Sequence, residues 1–393
     1  MSIGIPNNTY TTNARIVIIL AMSMWFSTPG ISQRALDKLT NVFEFHLGKE
    51  TDDTNRYRPR VVLAPVIAYQ PTTSLEFGLG SKLLFKPKGA GNTTRTSNLP
   101  LSVTYTLKNQ FIFSSKYTIF FPGEKYLLKG ALKFAKFPVA YYGIGNNTRG
   151  DEKKEISFKN LLIEPLLLRN VYKNIFVGGG LRYSILGDSK LIKQPNELNI
   201  DFENLDAVSS GVELAVSLDS RDNVLNAAKG NFIEFTHGFY DPILGGTHQF
   251  MLSKLDAREY YKPWHDRKDV FAFEVFGRFS WGSTPALELS TLGGDELLRG
   301  FPEGRYRDNH AVFTQAEYRL QILERFGMVF FAGAGDVYNT TADLSLSNLK
   351  YSLGTGLRLK IVKAENLNIR FDYGFGLGPE GDHNFYLGIA EAF

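Results

Sequence analysis

The chain has 393 residues, with 44 Lys and Arg against 40 Asp and Glu, and it contains no Cys. A formal net charge of +4 argues against a nucleic-acid-binding surface, and 43% hydrophobic residues exclude a disordered chain. The absence of Cys excludes a disulfide scaffold and any cysteine-based zinc or redox site.

The first 32 residues have the layout of an export signal. Arg15 precedes an apolar run at 16–26, which is shorter than the roughly 20 residues that a membrane-spanning helix needs. We therefore expect a cleavable signal peptide over 1–32, with a buried segment of the mature domain as the alternative. Residues 33–60 then form a short periplasmic segment, either a disordered leader or an amphipathic helix, because four apolar residues follow helical spacing: Leu36, Leu39, Phe43 and Leu47.

From residue 61 to 393 the chain alternates apolar and polar residues in long runs. Phe273 and Val275, for example, alternate with Ala272 and Glu274. The runs are mostly about 10–14 residues long, whereas globular strands average about 5–6 residues and a tilted membrane-spanning strand needs about 9–11. The alternation predicts a transmembrane β-barrel with apolar side chains facing lipid and polar side chains facing the lumen.

The pattern predicts sixteen strands, an even number, as is usual for single-chain bacterial barrels. Short and long connections alternate most clearly in the second half, and in such barrels the short turns face the periplasm. The predicted fold is all-β, a 16-stranded antiparallel transmembrane β-barrel over 61–393. The predicted strands are 61–69, 74–86, 99–108, 110–121, 125–136, 156–169, 174–187, 208–219, 230–241, 247–262, 269–282, 310–323, 325–337, 349–362, 366–377 and 384–393.

A motif in the sixth predicted outer loop carries a family resemblance. Leu298, Arg299, Gly300 and Phe301 resemble the (V/L)RGF motif of the BamA/TamA superfamily, the bacterial surface antigen barrels. The resemblance implies that this loop folds back into the lumen. Residues 143–146, Gly-Ile-Gly-Asn, are also similar to family usage.

A predicted periplasmic turn and the last strand extend the resemblance to about residues 60–393. The turn resembles the family's (S/T)RD…KG stretch, although Ala227 and Ala228 stand in the segment that often carries Pro. Its motif residues are Ser220, Arg221, Asp222, Lys229 and Gly230. The last strand resembles the C-terminal assembly signal of outer-membrane barrels, with four residues expected on one face: Phe385, Leu387, Ile389 and Phe393.

Arg299 needs an acidic partner if its loop enters the lumen, because a buried unpaired guanidinium is costly. Glu317 lies on the lumen-facing side of the twelfth predicted strand, and Asp336 lies near the outer end of the thirteenth. The family's loop arginine contacts acidic residues at matching places, so we expect Arg299 to pair with Glu317, Asp336 or both. An exposed Arg299 beside Asp295 and Glu296 is the alternative.

The sequence favours no enzyme, cofactor or metal. The six His show no metal-binding spacing, and neither a GxSxG elbow nor a phosphate-binding loop is present. An outer-membrane phospholipase would need a lipid-facing Ser–His arrangement. His237 is the His that lies well inside a predicted strand, and we interpret it as a structural residue of the barrel.

The resemblance implies an outer-membrane protein that assists the insertion or translocation of proteins through a weak seam between its first and last strands. The expected partners are outer-membrane lipids, client outer-membrane or secreted proteins and assembly-machinery subunits, with no nucleic acid. Residues 33–60 are too few for a periplasmic POTRA module, which family members that assemble proteins carry. A passive pore, a structural barrel or an accessory subunit of a larger complex is therefore the alternative.

Overall fold

The computed structural model describes nine segments of the chain: 44–46, 58–70, 74–91, 93–107, 109–151, 153–193, 205–362, 366–378 and 380–393. The predicted signal peptide and most of the segment 33–60 lie outside the described residues. Within that segment, Glu44–His46 form a strand and do not continue a helix. No helix of the described residues has the length and hydropathy needed to cross a bilayer.

The described residues form nineteen strands in chain order. They are β1 (Glu44–His46), β2 (Arg60–Gln70), β3 (Ser74–Phe85), β4 (Ser97–Thr106), β5 (Phe111–Phe120), β6 (Tyr126–Tyr141), β7 (Lys154–Tyr172), β8 (Ile175–Lys193), β9 (Ala207–Asp219), β10 (Gly230–Tyr240), β11 (Phe250–Tyr261), β12 (Val270–Gly282), β13 (Ser290–Leu292), β14 (Tyr306–Asp308), β15 (His310–Gln321), β16 (Phe326–Tyr338), β17 (Lys350–Val362), β18 (Leu367–Gly376) and β19 (His383–Ile389).

Sixteen of these strands, β2–β12 and β15–β19, correspond to the sixteen predicted ones and build the barrel wall. Each pairs antiparallel with the next along the chain, from β2–β3 to β18–β19. β13 and β14 form a separate two-stranded hairpin between β12 and β15. In the sheet order β19 lies next to β2. The fold is thus an antiparallel β-barrel architecture with one inserted hairpin.

The side chains of the wall follow the predicted alternation. In β12, Phe273 and Val275 are about half exposed, at 46% and 51%, whereas Ala272 and Glu274 are buried. An apolar outer face and a polar inner face suit a barrel that is surrounded by hydrocarbon. The lumen, and not the outer surface, therefore holds the charged side chains that a functional site needs.

The ends of several strands differ from the prediction. β6, β7 and β8 extend to 16, 19 and 19 residues, so they reach beyond the predicted ends at 136, 169 and 187. The last strand is shorter than predicted, because β19 ends at Ile389 and Ala390 has a φ of +84°. Two ends of the barrel are named below: the turn end, which carries the β7–β8 turn, and the loop end, which carries the β12–β15 connection.

Candidate functional site

The connection between β12 and β15 folds back into the lumen. A 3-10 turn over Ala286–Glu288 leads into the β13–β14 hairpin, whose tip comprises residues 293–305. Leu298 and Phe301 in this tip are fully buried and belong to one apolar cluster with Phe313 of β15. The apolar residues of the motif thus anchor the loop against the inner wall.

Gly300 lets the tip lie directly on the backbone of β18. Its φ is +118°, and an added Cβ would lie 2.5 Å from a backbone carbon of that strand. From the other side, a Cβ on Gly374 would lie 2.8 Å from the main chain of Arg299. Tyr386 Oη accepts the Gly300 N–H at 3.0 Å, and Asn384 Nδ2 donates to the Gly300 carbonyl at 2.7 Å. The tip is therefore bound to both β18 and β19.

The Arg299 guanidinium lies between two wall strands and is fully buried. Its Nη1 donates to Asp372 Oδ2 on β18 at 2.8 Å, and its Nη2 donates to the Glu317 carboxylate and to Gln315 Oε1 on β15. Its Cζ lies 3.7 Å from the centroid of the Phe331 ring, a cation–π contact. The planar fork thus bridges β15 and β18, which Lys cannot do with one ammonium group.

Further arginines share the carboxylates that bind Arg299. Arg319 Nε contacts Glu317 at 2.8 Å, and Arg358 joins Asp372 to Glu391, with 2.6 Å between Nε and the Glu391 carboxylate. These contacts join four arginines and four carboxylates into one group, the lumenal arginine cluster: Arg299, Arg319, Arg358, Arg370, Asp295, Glu317, Asp372 and Glu391. The cluster is neutral, and all its side chains except that of the exposed Asp295 are buried, so removal of a buried member leaves a buried charge without its partner.

The base of the same loop is bound to a different wall strand. Arg182 Nη2 of β8 contacts Glu288 Oε2 at 2.7 Å. Burial raises the pKa of Glu288, but the guanidinium groups of Arg182 and Arg278 outweigh burial and hold this pKa below its ordinary value. Since its tip is bound at β15 and β18, the loop crosses the lumen and is fixed at both sides.

Of the two partners that the sequence offered for Arg299, Glu317 contacts it and Asp336 does not. Asp336 is fully buried near the loop end of β16, where its Oδ1 accepts a hydrogen bond from Asn146 Nδ2 at 3.3 Å. The adjacent Gly145 N–H donates to the carbonyl of Arg307 in β14 at 2.7 Å. Asp336 therefore binds the 143–146 segment, and Asp372 takes the second place beside Arg299 that the sequence assigned to Asp336.

The turn between β9 and β10 is held by the residues of its motif. Asp222 Oδ1 accepts the N–H groups of Ala228 and Lys229 at 2.9 and 3.3 Å, so the carboxylate closes the turn on itself. Gly230 has a φ of +100° and leaves no room for a Cβ beside Ser220. The remaining contacts join Ser220 Oγ to the N–H of Asn231 at 2.9 Å and Arg221 Nε to Asp219 at 2.8 Å.

This turn reaches distant strands at the turn end. Asn226 Nδ2 donates to the carbonyl of Asn366, immediately before β18, at 3.0 Å. Leu225 packs against a cluster that contains Val62 of β2, and Ala227 is buried in a cluster with Phe393. Because β9 and β10 are far from β2 and β18 in the sheet order, the turn crosses the turn end of the lumen.

The segment 390–393 enters the lumen and does not continue the last strand. The prediction that Phe393 shares a strand face with Phe385, Leu387 and Ile389 is wrong, because the strand ends at Ile389. Phe393 is buried, and its main-chain oxygen accepts a hydrogen bond from Arg319 Nη2 at 3.0 Å. The segment is thereby attached to the lumenal arginine cluster.

His237 forms a pair on the outer face. Its Nδ1 lies 2.7 Å from Ser253 Oγ, and the two residues are directly opposite each other on β10 and β11. Apolar residues of the neighbouring strands flank this pair: Val216 of β9 is opposite Phe235, and Phe279 of β12 is opposite Ser253. The contact gives two polar groups on a lipid-facing surface a mutual hydrogen bond, which lowers the cost of placing them there.

The sequence pointed to some of the residues that surround Arg299 but did not single them out. Asp372 and Arg370 fall on the lumen-facing side of the alternation in β18, so their orientation was predictable. Arg358 has the same signal in β17. Their depth in the barrel, which decides that they meet Arg299, depends on the stagger between strands, and alternation carries no such information.

Comparisons with known proteins agree with this architecture. Residues 182–393 match the Omp85 superfamily domain. Among solved structures, BamA from Haemophilus ducreyi lacking POTRA domains 1–3 is similar, with a TM-score of 0.53, 14% identity and coverage of 91% of this chain and 77% of that one. No curated protein matches the sequence.

CdiB from two organisms has a similar fold. The Escherichia coli protein gives a TM-score of 0.57 with 13% identity, covering 84% of this chain and 62% of its own. The Acinetobacter baumannii protein gives 0.53 with 14% identity, covering 84% and 59%. The chain thus spans less than two thirds of either CdiB. Since the family match covers more than half of the chain and the outer face is apolar, the protein belongs to the Omp85 superfamily and is an outer-membrane β-barrel.

Proposed function

We propose that the protein assists the insertion or translocation of proteins at the outer membrane through the seam between β2 and β19. Membership of the Omp85 superfamily and the fold shared with BamA and CdiB support this role. The expected partners are client outer-membrane or secreted proteins, together with subunits of an assembly machinery. We propose no enzymatic step.

The seam joins two strands of unequal length that are neighbours in the sheet order. β19 has seven residues and β2 has eleven, so part of the β2 edge extends beyond its neighbour. An incompletely paired strand edge is a template for another strand.

The pairing of β1 carries the proposal. Glu44–His46 pair antiparallel with Arg60–Val62 of β2, and the same β2 residues pair with β3. Since a strand has two edges, β1 occupies the β2 edge that faces away from β3, which is the seam edge. The chain thus adds an extended segment to this edge by β-augmentation, the interaction that we propose for an incoming client strand.

The sixth outer loop braces the wall beside the seam. Its tip binds Asp372 of β18 and both Tyr386 and Asn384 of β19, and β19 is the strand that borders the seam. The edge of a strand can pair with an incoming strand only if that edge strand stays fixed within its sheet. We propose that the loop holds β18 and β19 in place while β2 and β19 separate.

A reversible cross-link tests the seam, because the native chain has no Cys. Val62→Cys with Ile389→Cys joins residues of one apolar cluster on the two seam strands. The matched control, Tyr373→Cys with Phe385→Cys, joins directly paired residues of β18 and β19. Oxidation of the seam pair should abolish complementation of depleted cells, and reduction should restore it. Full complementation by the oxidised seam pair, or equal loss in the control, would refute the proposal.

A passive pore or an accessory subunit is the second candidate. The sixth outer loop crosses the lumen and is fixed at Arg182 on one side and at Glu317 and Asp372 on the other, which weighs against a wide open channel. Single-channel recording in planar bilayers tests the pore. Large, steady conductance that does not depend on the seam cross-link would favour it over the assembly role.

A further inference from the structure

A cavity of about 320 Å³ lies at the turn end of the lumen. Its wall combines the β11–β12 turn with residues of β15–β18, and Asn226 and Ala228 of the β9–β10 turn close one side. Glu391, from the segment after β19, also lines it. The cavity is therefore separate from the Arg299 contacts, although it adjoins the same cluster.

The cavity is strongly basic. Among the described residues that line it, six are cationic and one is acidic: Lys262, Lys268, Arg319, Arg325, Arg358, Lys360 and Glu391. Glu324 is a second acidic group that acts on Lys360. Lys262 and Lys268 have no ion-pair partner within the described part of the chain. Because Arg319 and Arg358 are already balanced by carboxylates of the lumenal arginine cluster, the charge available to a ligand is mainly that of Lys262 and Lys268.

One buried donor in the wall is unused. Arg319 is 7% exposed, its Nε is bound to Glu317, and its Nη2 is bound to the main-chain oxygen of Phe393. Its Nη1 is buried without a hydrogen-bond partner among the described residues. An unsatisfied buried donor is costly, so the Nη1 group favours an acceptor from a ligand.

The wall already binds a short acidic and aromatic segment of this chain. The Glu391 carboxylate accepts hydrogen bonds from Arg358 Nε and Asn368 Nδ2, both at 2.6 Å. Phe393 packs in an apolar cluster with Tyr260 and Val270. The same wall therefore offers cations for a carboxylate and an apolar surface for a ring.

We propose that this cavity is a binding site for an acidic peptide segment of another protein. The carboxylates of the segment would meet Lys262, Lys268 and the free Nη1 of Arg319. The lining residues Val270, Arg319 and Arg358 lie on the inward side of their strands, so the site is on the lumen side of the wall, which favours a peptide over a lipid headgroup. The inference goes beyond the seam, because it concerns binding at the turn end and is measured without any insertion assay.

The test measures binding of a fluorescent peptide, Glu-Ala-Glu-Ala-Phe, to the purified full chain in detergent micelles. The combined Lys262→Gln and Lys268→Gln variant should bind at least about fivefold more weakly, because it loses two partly exposed ion pairs. The matched control is Lys125→Gln with Lys173→Gln, which removes two exposed lysines of other turns at the same end. The control should bind as the native chain does, and a Gln-for-Glu peptide should bind weakly to all three proteins.

A second measurement needs no variant. The peptide should protect Lys262 and Lys268 of the native chain from acetylation while Lys125 and Lys173 react at an unchanged rate. Equal binding by the two double variants, or no protection of Lys262 and Lys268, would overturn the proposal. So would protection of both lysines by inorganic phosphate or phosphatidylglycerol vesicles without protection by the peptide, since the site would then take a phosphate.

Discussion

Removal of the Arg299 charge should destabilise the barrel more than removal of any exposed arginine. Arg299→Met leaves the lumenal arginine cluster with four carboxylates and three arginines, and two of these carboxylates, Glu317 and Asp372, are fully buried. Breaking a buried ion pair from one side typically costs about 3–5 kcal/mol. Since Glu317 keeps Arg319 and Asp372 keeps Arg358, we expect the lower end, about 3 kcal/mol of unfolding free energy.

A charge-balanced variant separates this effect from lost packing. Arg299→Met combined with Glu317→Gln restores a neutral cluster, so it should recover part of the unfolding free energy that the single substitution loses. Arg149→Met is the matched control, because Arg149 is 67% exposed and pairs with Asp151 in an outer loop. We expect a change below about 1 kcal/mol in this control.

The assay is urea unfolding of the barrel in lipid vesicles, followed by tryptophan fluorescence, with heat-modifiable migration on gels as a second readout. The account predicts the order Arg299→Met, then the charge-balanced variant, then Arg149→Met, from least to most stable. If Arg299→Met unfolds at the same urea concentration as Arg149→Met, the cluster does not hold the loop and the reasoning is wrong.

Three further predictions concern the loop and the outer face. Gly300→Ala should detach the loop tip, because a Cβ has no space against β18, and trypsin should then cleave the tip. Gly187→Ala, at an open position, should remain resistant to trypsin, and equal resistance of the two variants would contradict the close packing. Because the pKa of Glu288 lies below its ordinary value of 4.5, its stabilising contribution is present above pH 4.5 and is lost as the pH falls further. Glu288→Gln should therefore reduce the loss of unfolding free energy on acidification, and an unchanged acid dependence would refute this. The purified protein should release no fatty acid from phospholipid micelles, and release that Ser253→Ala abolishes would instead assign catalysis to the Ser253–His237 pair.

The sequence predicted the wall of the barrel well because alternation is a local property. Each strand shows its faces in its own residues, so Phe273 and Glu274 could be assigned to lipid and lumen without any neighbour. β13 and β14 escaped prediction because three residues carry no periodicity. The extended end of β8 escaped it because the polar residues Asp188, Ser189 and Lys190 interrupt the alternation. The extended end of β6 escaped it because 137–141 is an uninterrupted run of apolar residues that contains Pro138.

The site was harder to predict than the wall because it depends on contacts between distant strands. The sequence placed Glu317 on the lumen-facing side of its strand and Asp336 near the outer end of its own, yet it could not tell that Asp372 lies at the depth of Arg299. The position of Phe393 was not predicted because the strand ends at Ile389 and Ala390 has a φ of +84°, a break that an alternating pattern does not reveal.

Quantitative comparison of the outer-membrane proteome before and after depletion of this protein tests its proposed role most directly. Native protein, the Arg299→Met variant and the oxidised seam pair would each be supplied in parallel. The account predicts a selective fall in other barrels or surface proteins that the native chain reverses and the two variants do not. An unchanged proteome after depletion, with the protein demonstrably absent, would contradict an assembly role.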